Sequence, residues 1–316
     1  MTIKYFLSGA SGIRAELTPE VASYISYRLL SMHKAFKGNT RVWCEVSHHP
    51  KSAMQEVMLD SGAFTAFTKG HKVELNELVA AYDDTSRKLN KRIKHIWFIN
   101  LDVIPGAYGR IAAEAEVKEA LDRSDDNYRL LSKRYGRERV LPVFHQTESQ
   151  ARLRAIVGMA PFIAMGFRQD FAEEHRISCA EEALSYAHAQ GAKVHGLATT
   201  GYKMLSRAPF DTVDSASWLY AAAMGKIIYT GERGDMEVVA VSSISPLQRE
   251  PRAHFVSLTE AERALILSRV EAAGATLEQV QNDLSYRILV NAYSMREWLK
   301  SYSRPLVAPP QGLFSL

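Results

Sequence analysis

Residues 56–64 read EVMLDSGAF, an apolar run that ends abruptly in an aspartate, a serine and a glycine. A short apolar run is typical of a buried strand, and the glycine with its small neighbours indicates a tight turn. Residues 74–90 then place apolar side chains three and four apart, which predicts a helix. This strand, turn and helix make one unit of a parallel sheet that is covered by helices.

The same alternation continues along the chain on both sides of this segment. Strands are predicted at residues 4–8, 41–46, 56–60, 95–102, 140–145, 162–166, 193–197 and 211–214. Helices are predicted at about residues 18–37, 74–90, 110–134, 148–158, 178–190, 200–207 and 216–224. Eight strands that alternate with helices favour a closed (β/α)8 barrel of the TIM type over an open sheet.

The pattern changes after residue 218. Residues 226–229 and 237–241 are predicted to form an antiparallel pair around a turn at 230–235. Thr259 and Thr276 each stand three residues before a Glu or Gln, which predicts two capped helices, and the prolines of the tail 304–310 predict an extended segment. We therefore expect a barrel domain over residues 1–250 and a small, mainly helical extension over residues 251–316, packed on the barrel.

The composition is that of an ordinary globular protein. Of the 316 residues, 47% are hydrophobic and 23% are charged, which allows one large core and excludes a collagen-like or low-complexity chain. Cys44 and Cys179 are far apart and are predicted to be free thiols in a reducing compartment. No apolar run reaches the roughly 20 residues of a spanning helix and no export signal is present, so we expect a soluble cytoplasmic protein with no membrane partner.

The charge of the chain is mildly basic. The formal net charge of +4 agrees with a polyanionic partner but does not require one. Lysines and arginines concentrate at residues 87–94 and 133–139, and we interpret both clusters as solvated helix ends rather than as a phosphate track. The charge alone therefore leaves a nucleic-acid partner open.

Polar residues or glycines end most of the predicted strands. In a parallel barrel the active site lies at the C-terminal ends of the strands, so these residues are the first candidates for chemistry. Each has a structural alternative, because an aspartate after a strand is often only the N-cap of the next helix and a single histidine is often structural. Several such strand ends on one face are harder to explain in that way. The candidates are Asp60, Ser61, Asp102, His145, Gln146, Gly166, His195, Gly196, Asp211 and Asp214.

Aspartates that share one face indicate either a metal site or carboxylate chemistry without a metal. The sequence contains no His-x-His, Cys-x-x-Cys or His-Glu-x-x-His, and it contains no phosphate-binding Gly-x-x-x-x-Gly-Lys-Ser/Thr. We therefore expect no metal and no cofactor. Carboxylates that act as nucleophile and general acid/base are the simpler assignment.

These strand ends, in this order, resemble those of the tRNA-guanine transglycosylase superfamily, which has a TIM-barrel fold. Residues 60–64, DSGAF, resemble the family's Asp-Ser-Gly-Gly-Tyr/Phe, in which the aspartate is the general acid/base and the aromatic ring stacks on the exchanged base. The spacing Asp211-x-x-Asp214 resembles the Asp-x-x-Asp that carries the nucleophile, which the resemblance assigns to Asp214. If the alignment slides by three residues, Ser217 falls on the nucleophile position instead.

The resemblance covers about residues 56–218 and also implies a base-binding pocket. Asp102 matches the base-recognising aspartate, Gln146 matches the glutamine of the family's Val-Gln-Gly, and Gly166 matches a glycine that lines the pocket. His195-Gly196 falls where the family has a Met-Gly that closes the other face of the base. The residues implied for substrate binding are Ser61, Phe64, Asp102, Gln146, Gly166, His195 and Gly196.

One departure from the family affects the choice of substrate. The tRNA enzymes carry a Cys-x-Cys-x-x-Cys and a later histidine that bind a structural zinc, whereas this chain has no cysteine after Cys179 and hence no such zinc subdomain. The resemblance is therefore closer to the DNA-directed branch, the DpdA-type enzymes. It implies an enzyme that replaces guanine in DNA with a 7-deazaguanine such as preQ0, through a covalent glycosyl intermediate on Asp214. Arg168 and Lys203, each shortly after a strand end, are candidate contacts to the nucleic-acid backbone.

Three alternatives remain open. The chain could act on tRNA without a zinc subdomain, or it could be a glycosidase or nucleosidase barrel that uses the same carboxylates on a small molecule. It could also be a barrel that binds nucleic acid without catalysis.

Overall fold

The computed structural model describes residues 3–9, 13–106, 110, 112–168, 170–199, 201–250, 252–303 and 305. In this part of the chain, parallel strands alternate with helices, and an antiparallel hairpin and three helices follow. The strands are β1 (Lys4–Leu7), β2 (Tyr27–Ser31), β3 (Glu56–Asp60), β4 (His95–Ile99), β5 (Val140–Leu141), β6 (Val143–His145), β7 (Phe162–Gly166), β8 (Lys193–Gly196), β9 (Thr212–Ser215), β10 (Lys226–Thr230) and β11 (Met236–Ala240). The helices are α1 (Thr18–Ala22), α2 (Lys37–Val46), α3 (Ala63–Thr68), α4 (Leu75–Lys88), α5 (Glu114–Tyr135), α6 (Gln150–Met159), α7 (Glu173–Ala189), α8 (Tyr202–Arg207), α9 (Ser217–Ala223), α10 (Glu260–Ala272), α11 (Leu277–Asn282) and α12 (Leu284–Ser301).

The parallel strands form an eight-stranded barrel, because β5 and β6 are two halves of one strand. The order around the sheet is β5-β4-β3-β2-β1-β9-β8-β7-β6. Only Pro142 separates β5 from β6, and proline has no N–H to donate to a neighbouring strand. Its carbonyl still accepts a hydrogen bond from the Ala164 N–H at 2.9 Å, so the two halves join the pairing of β4 to that of β7. The predicted TIM-barrel architecture is confirmed.

Side chains that alternate along the strands fill the barrel interior. The central layers are apolar, with Phe6, Leu29, Met58 and Ile99 among their members. At the N-terminal end Glu56 closes the interior, since its carboxylate accepts hydrogen bonds from Lys4 Nζ at 2.5 Å and from Trp97 Nε1 at 2.9 Å. The interior is thus closed below, and the polar residues of the candidate site lie at the other end.

The C-terminal helices pack on the hairpin and on the barrel wall. Ile288, Ala292 and Trp298 of α12 belong to the large core between the barrel and its helices, while Val290 of the same helix belongs to a second core under β10 and β11. Asn291 joins them, because its side chain accepts from the Ile228 N–H at 2.7 Å and donates to the Trp218 carbonyl at 2.7 Å. The division into domains at residue 250 stays a prediction.

The strand predicted at residues 41–46 is wrong, since these residues belong to α2. Trp43, Cys44 and Val46 are buried on one face of this helix, whereas Arg41 and Glu45 are exposed and pair across one turn. The high strand propensity of Val-Trp-Cys concealed this helical spacing.

The helix predicted at residues 18–37 is wrong beyond α1, because β2 occupies Tyr27–Ser31. Arg28 made this segment resemble an amphipathic helix. In the fold its guanidinium is buried beside the ring of Trp43, at 4.1 Å from the ring centre, and donates to the carbonyls of Leu7 and Gly9 at 2.5 and 2.8 Å.

The remaining elements follow the prediction, apart from shifts at their ends. The antiparallel pair is confirmed, as are the N-caps of α10 and α11, where Thr259 and Thr276 accept hydrogen bonds from Glu262 N and Gln279 N. The prediction for the tail 304–310 lies outside the described residues except for Pro305.

Candidate active site

The inward-facing polar side chains gather at the C-terminal end of the barrel. Asp60 ends β3 and is paired in register with Ser31 of β2, while Asp214 of β9 is paired with Phe6 of β1. His195 of β8 lies next to β9. Because all these strands are parallel, their carboxyl ends open on the same mouth.

Asp60 is a carboxyl group whose proton affinity is raised. Its pKa is raised to about 7, first by burial and then by the charges of Asp214 and Asp102, while hydrogen bonds from Ser31 and from the Gly62 N–H oppose the rise. The Gly62 N–H lies 3.1 Å from Oδ2. A carboxyl group with this pKa exchanges its proton near neutral pH, which suits a general acid/base.

The turn after Asp60 requires its glycine. Gly62 has φ +75°, in the left-handed region that favours glycine. A Cβ atom there would lie 2.8 Å from Cβ of His33 and 2.9 Å from its backbone nitrogen, so the loop after β2 packs directly on the loop after β3. This contact fixes the backbone that carries Asp60.

Asp214 is held through one of its two carboxylate oxygens. Oδ1 accepts a hydrogen bond from the Ala198 N–H at 2.9 Å and lies 3.3 Å from Nε2 of the fully buried His195. Nδ1 of His195 lies 2.7 Å from the hydroxyl of Thr212, so the neutral ring with its proton on Nε2 accepts from Thr212 and donates to Asp214. Among the described residues Oδ2 has no hydrogen-bond partner, and it is the oxygen left for a substrate.

Ala198 adopts an unusual backbone conformation to make this contact. Its φ is +50°, one of two positive values at residues other than glycine in the described part of the chain. Such a conformation costs on the order of 1–3 kcal/mol and persists where the surroundings impose it. The strained residue is the one whose N–H binds Asp214.

The register of β9 separates Asp214 from Asp211. Asp211 lies just before the N-terminal end of β9, where Oδ2 contacts His188 Nε2 at 2.9 Å and accepts from the Val194 N–H at 2.8 Å. Ser217 lies on the outer side, with its hydroxyl 3.4 Å from that of Tyr5 in the shell core. Of these three residues, only Asp214 faces the mouth.

Asp102 pairs with His145, a residue that the resemblance did not assign. Oδ2 of Asp102 lies 3.0 Å from Nε2 of His145. Burial lowers the pKa of His145, but the hydrogen bond and charge of Asp102 and the charge of Glu148 outweigh burial and raise it. Gly166 makes room for this ring, because a Cβ there would lie 3.1 Å from Nδ1.

Gln146 does not share the orientation of His145. Successive side chains of a strand point to opposite faces, and the amide of Gln146 lies beside the thiol of Cys179 on α7, outside the barrel. Both its polar atoms are buried without a hydrogen-bond partner. The role in base recognition expected for Gln146 stays a prediction, and His145 occupies the inward position beside it.

The other residues expected to bind the base differ in exposure. Ser61 is buried next to the turn, and Gly196 lies against the ring of Phe210, which a Cβ would approach to 3.1 Å. Phe64 is 68% exposed on α3 at the rim of the mouth. Contacts of Ser61, Phe64 and Gly196 with a base stay predictions.

The two candidate contacts to nucleic acid are both neutralised by carboxylates. Arg168 donates to Asp170 through two nitrogens, at 3.0 and 2.6 Å. Lys203 forms an ion pair with Glu174. Their role in nucleic-acid binding stays a prediction, and each would first have to release its partner.

Sequence reasoning missed Ser31, Thr212 and Glu148 as parts of the site. The alternation of inward and outward residues along a strand contains a signal for Thr212, which stands two residues before Asp214. Ser31 was hidden because β2 was taken for a helix. Glu148, whose carboxylate accepts from the His145 N–H at 3.0 Å, follows the strand in a turn, and no pattern marks it.

No protein-family model matches this sequence, and a search of curated proteins finds no match either. Within the described ranges, no group of three or more His, Cys, Asp or Glu side chains is arranged to hold a metal ion. The helices in the same ranges include none that is long and apolar enough to cross a membrane.

Proposed function

We propose that this chain is a base-exchange transglycosylase that replaces guanine in DNA with a 7-deazaguanine, with Asp214 as nucleophile and Asp60 as general acid/base. The observation that carries the proposal is the unequal treatment of two carboxylates at one mouth. One oxygen of Asp214 is held by Ala198 and His195 while the other has no partner among the described residues, and Asp60 has a pKa of about 7.

In the first half of the reaction Asp214 Oδ2 attacks C1′ of the target nucleotide. A bond forms between Oδ2 and C1′ while the bond from C1′ to the purine nitrogen breaks, and its electron pair leaves with the purine. Protonated Asp60 supplies the proton that this nitrogen gains. The products are free guanine and a covalent glycosyl ester on Asp214.

In the second half the incoming 7-deazaguanine loses its ring N–H proton to the Asp60 carboxylate. The ring nitrogen then attacks C1′ and displaces Asp214 as a carboxylate, so that two inversions give net retention. Asp60 ends protonated and ready for the next guanine. The cycle needs no proton from any other residue.

Labelled preQ0 incubated with duplex DNA, and in parallel with tRNA, tests this proposal. We expect label in DNA, no label with Asp214→Asn, and a loss of about a hundredfold or more with Asp60→Asn. Asp170→Asn is the matched control, because this exposed aspartate pairs with Arg168 rather than with the site. Label in tRNA alone would assign RNA as substrate, and label that survives Asp214→Asn would refute the covalent mechanism.

A nucleosidase is the second candidate, and one observation favours it. Arg168 and Lys203 are paired with carboxylates, so they leave little free positive charge for a phosphate backbone on that side of the mouth. A nucleosidase would release free guanine from a nucleoside and incorporate no added base. Measuring guanine release from DNA and from guanosine in the same reactions separates the two functions.

A further inference from the structure

Positive charge without ion-pair partners lies on the opposite side of the mouth, where the loops after β2 and β3 meet. The two loops are in contact, since Met32 N donates to the Asp60 carbonyl at 2.9 Å and Gly62 packs on the backbone of His33. Both loops follow the C-terminal ends of their strands, so they border the mouth beside Asp60. We name this surface the β2–β3 rim, formed by His33, Lys34, Lys37, Phe64, Lys69, His71 and Lys72.

The lysines of the rim are exposed, and most lack an acidic partner. Lys37, Lys69 and Lys72 form no ion pair within the part of the chain that the structure describes, whereas Lys34 pairs with Glu77 at 2.9 Å. Glu74 is the other carboxylate in this stretch of sequence. The rim thus keeps a net positive charge after its carboxylates are counted.

His33 reports how close these charges lie to one another. Its pKa is lowered first by burial and then by the positive charges of Lys69, His71 and Lys34. Its Nδ1 accepts from the Ala35 N–H at 3.2 Å, which leaves Nε2 as a donor. Cations from both loops therefore act on one small area.

An exposed aromatic ring lies within the same surface. Phe64 is 68% exposed and stands four residues after Asp60, on the short helix that leads to Lys69. Surfaces that bind single nucleic-acid strands combine a positive track for the phosphates with aromatic rings on which bases stack. The rim contains both features directly beside the candidate general acid/base.

We propose that the β2–β3 rim binds the DNA strand that carries the target nucleotide, with Lys37, Lys69 and Lys72 on its phosphates and Phe64 stacked on a neighbouring base. The proposal rests on the proposed function for its choice of DNA. Contacts to phosphates are independent of sequence, so the rim holds the strand and leaves base recognition to the interior of the mouth.

Fluorescence anisotropy of a labelled duplex with an unpaired guanine, measured over a series of salt concentrations, tests the rim. Lys69→Ala/Lys72→Ala is expected to reduce the slope of log affinity against log salt by roughly 2, because each lost phosphate contact removes about 0.9. Phe64→Ala is expected to weaken binding about tenfold with an unchanged slope, since it removes stacking and no charge. The matched control is Lys91→Ala/Lys94→Ala, two exposed lysines ahead of β4 at the opposite end of the barrel.

Each outcome decides one of the two proposals. An unchanged slope in the rim variant, a loss equal to that of the control, or binding to RNA of the same sequence but not to DNA would overturn the rim. The charge reversal Lys69→Glu/Lys72→Glu repeats the test with a larger expected effect. Binding that follows the expected pattern without any base exchange would support the rim and refute the transglycosylase.

Discussion

Replacing Asp60 with asparagine should change how the stability of the protein depends on pH. The carboxyl group has a pKa of about 7 in the fold, against an ordinary value of 3.8. The fold therefore binds this proton more tightly than the unfolded chain does, so stability is highest where Asp60 is protonated and falls as the pH rises towards 7. Asparagine cannot ionise, and the variant should lack this loss.

The magnitude follows from the two pKa values. Each unit of difference corresponds to about 1.4 kcal/mol, so ionisation of Asp60 should lower the free energy of unfolding by about 4 kcal/mol at full extent. Between pH 5 and pH 8 the part that remains to be lost is roughly 2–3 kcal/mol. Asp60→Asn should therefore gain that amount relative to wild type across this interval.

Urea unfolding at several pH values, followed by circular dichroism, measures this difference. Other titrating groups cancel in the comparison as long as they do not contact Asp60. Asp170→Asn is the control, because Arg168 lowers the pKa of that exposed carboxylate and the variant should show no gain at high pH. A difference between Asp60→Asn and wild type that stays constant from pH 5 to pH 8 would refute the assignment of Asp60 as the proton-exchanging group.

Three further substitutions test the supports of the site. Gly62→Ala should lower the free energy of unfolding by at least about 1–3 kcal/mol, since it forces a side chain into φ +75° and against His33, and thermal melting checks this. Thr212→Val keeps the shape but leaves Nδ1 of His195 without a donor, so we expect a loss of about 1–3 kcal/mol and slower base exchange with little change in KM. Arg28→Lys keeps the charge but not the fork that binds two carbonyls, and should cost about 2–4 kcal/mol in urea unfolding, whereas a change below about 0.5 kcal/mol would contradict the role of those bonds.

Much of the barrel could be predicted because most of its strands are apolar on both faces. Seven of the eight predicted strands correspond to strands in the structure, and β3, which ends in Asp60, matches to the residue. The two errors lie next to each other in the chain and share a cause. Val42, Trp43 and Cys44 have strand-like side chains but lie on a helix, whereas Arg28 in β2 is charged but completely buried. Partners distant in sequence decided both cases, and a local pattern contains no information about them.

The site was predictable to the level of strand ends but not of side-chain direction. Asp60 and Asp214 were found because a carboxylate at the end of an apolar strand is rare enough to stand out. The choice of Gln146 over His145 failed to consider the two-residue alternation that turns one inward and the other outward. The contact between Ala198 and Asp214 depends on a left-handed φ at an alanine, which no propensity predicts.

The net charge of +4 conceals an uneven distribution of charge around the mouth. On one side Lys203 and Arg207 share Glu174, so their charges act mainly on a neighbouring carboxylate. On the other side Lys69 and Lys72 have no such partner within the described ranges, and a phosphate placed there would not have to displace a carboxylate. Because screening by salt is strongest for exposed charges, this difference should matter most at low ionic strength. A polyanion that approaches the mouth is thus attracted to the side where Asp60 lies, which brings its bases towards the group that must exchange a proton with them.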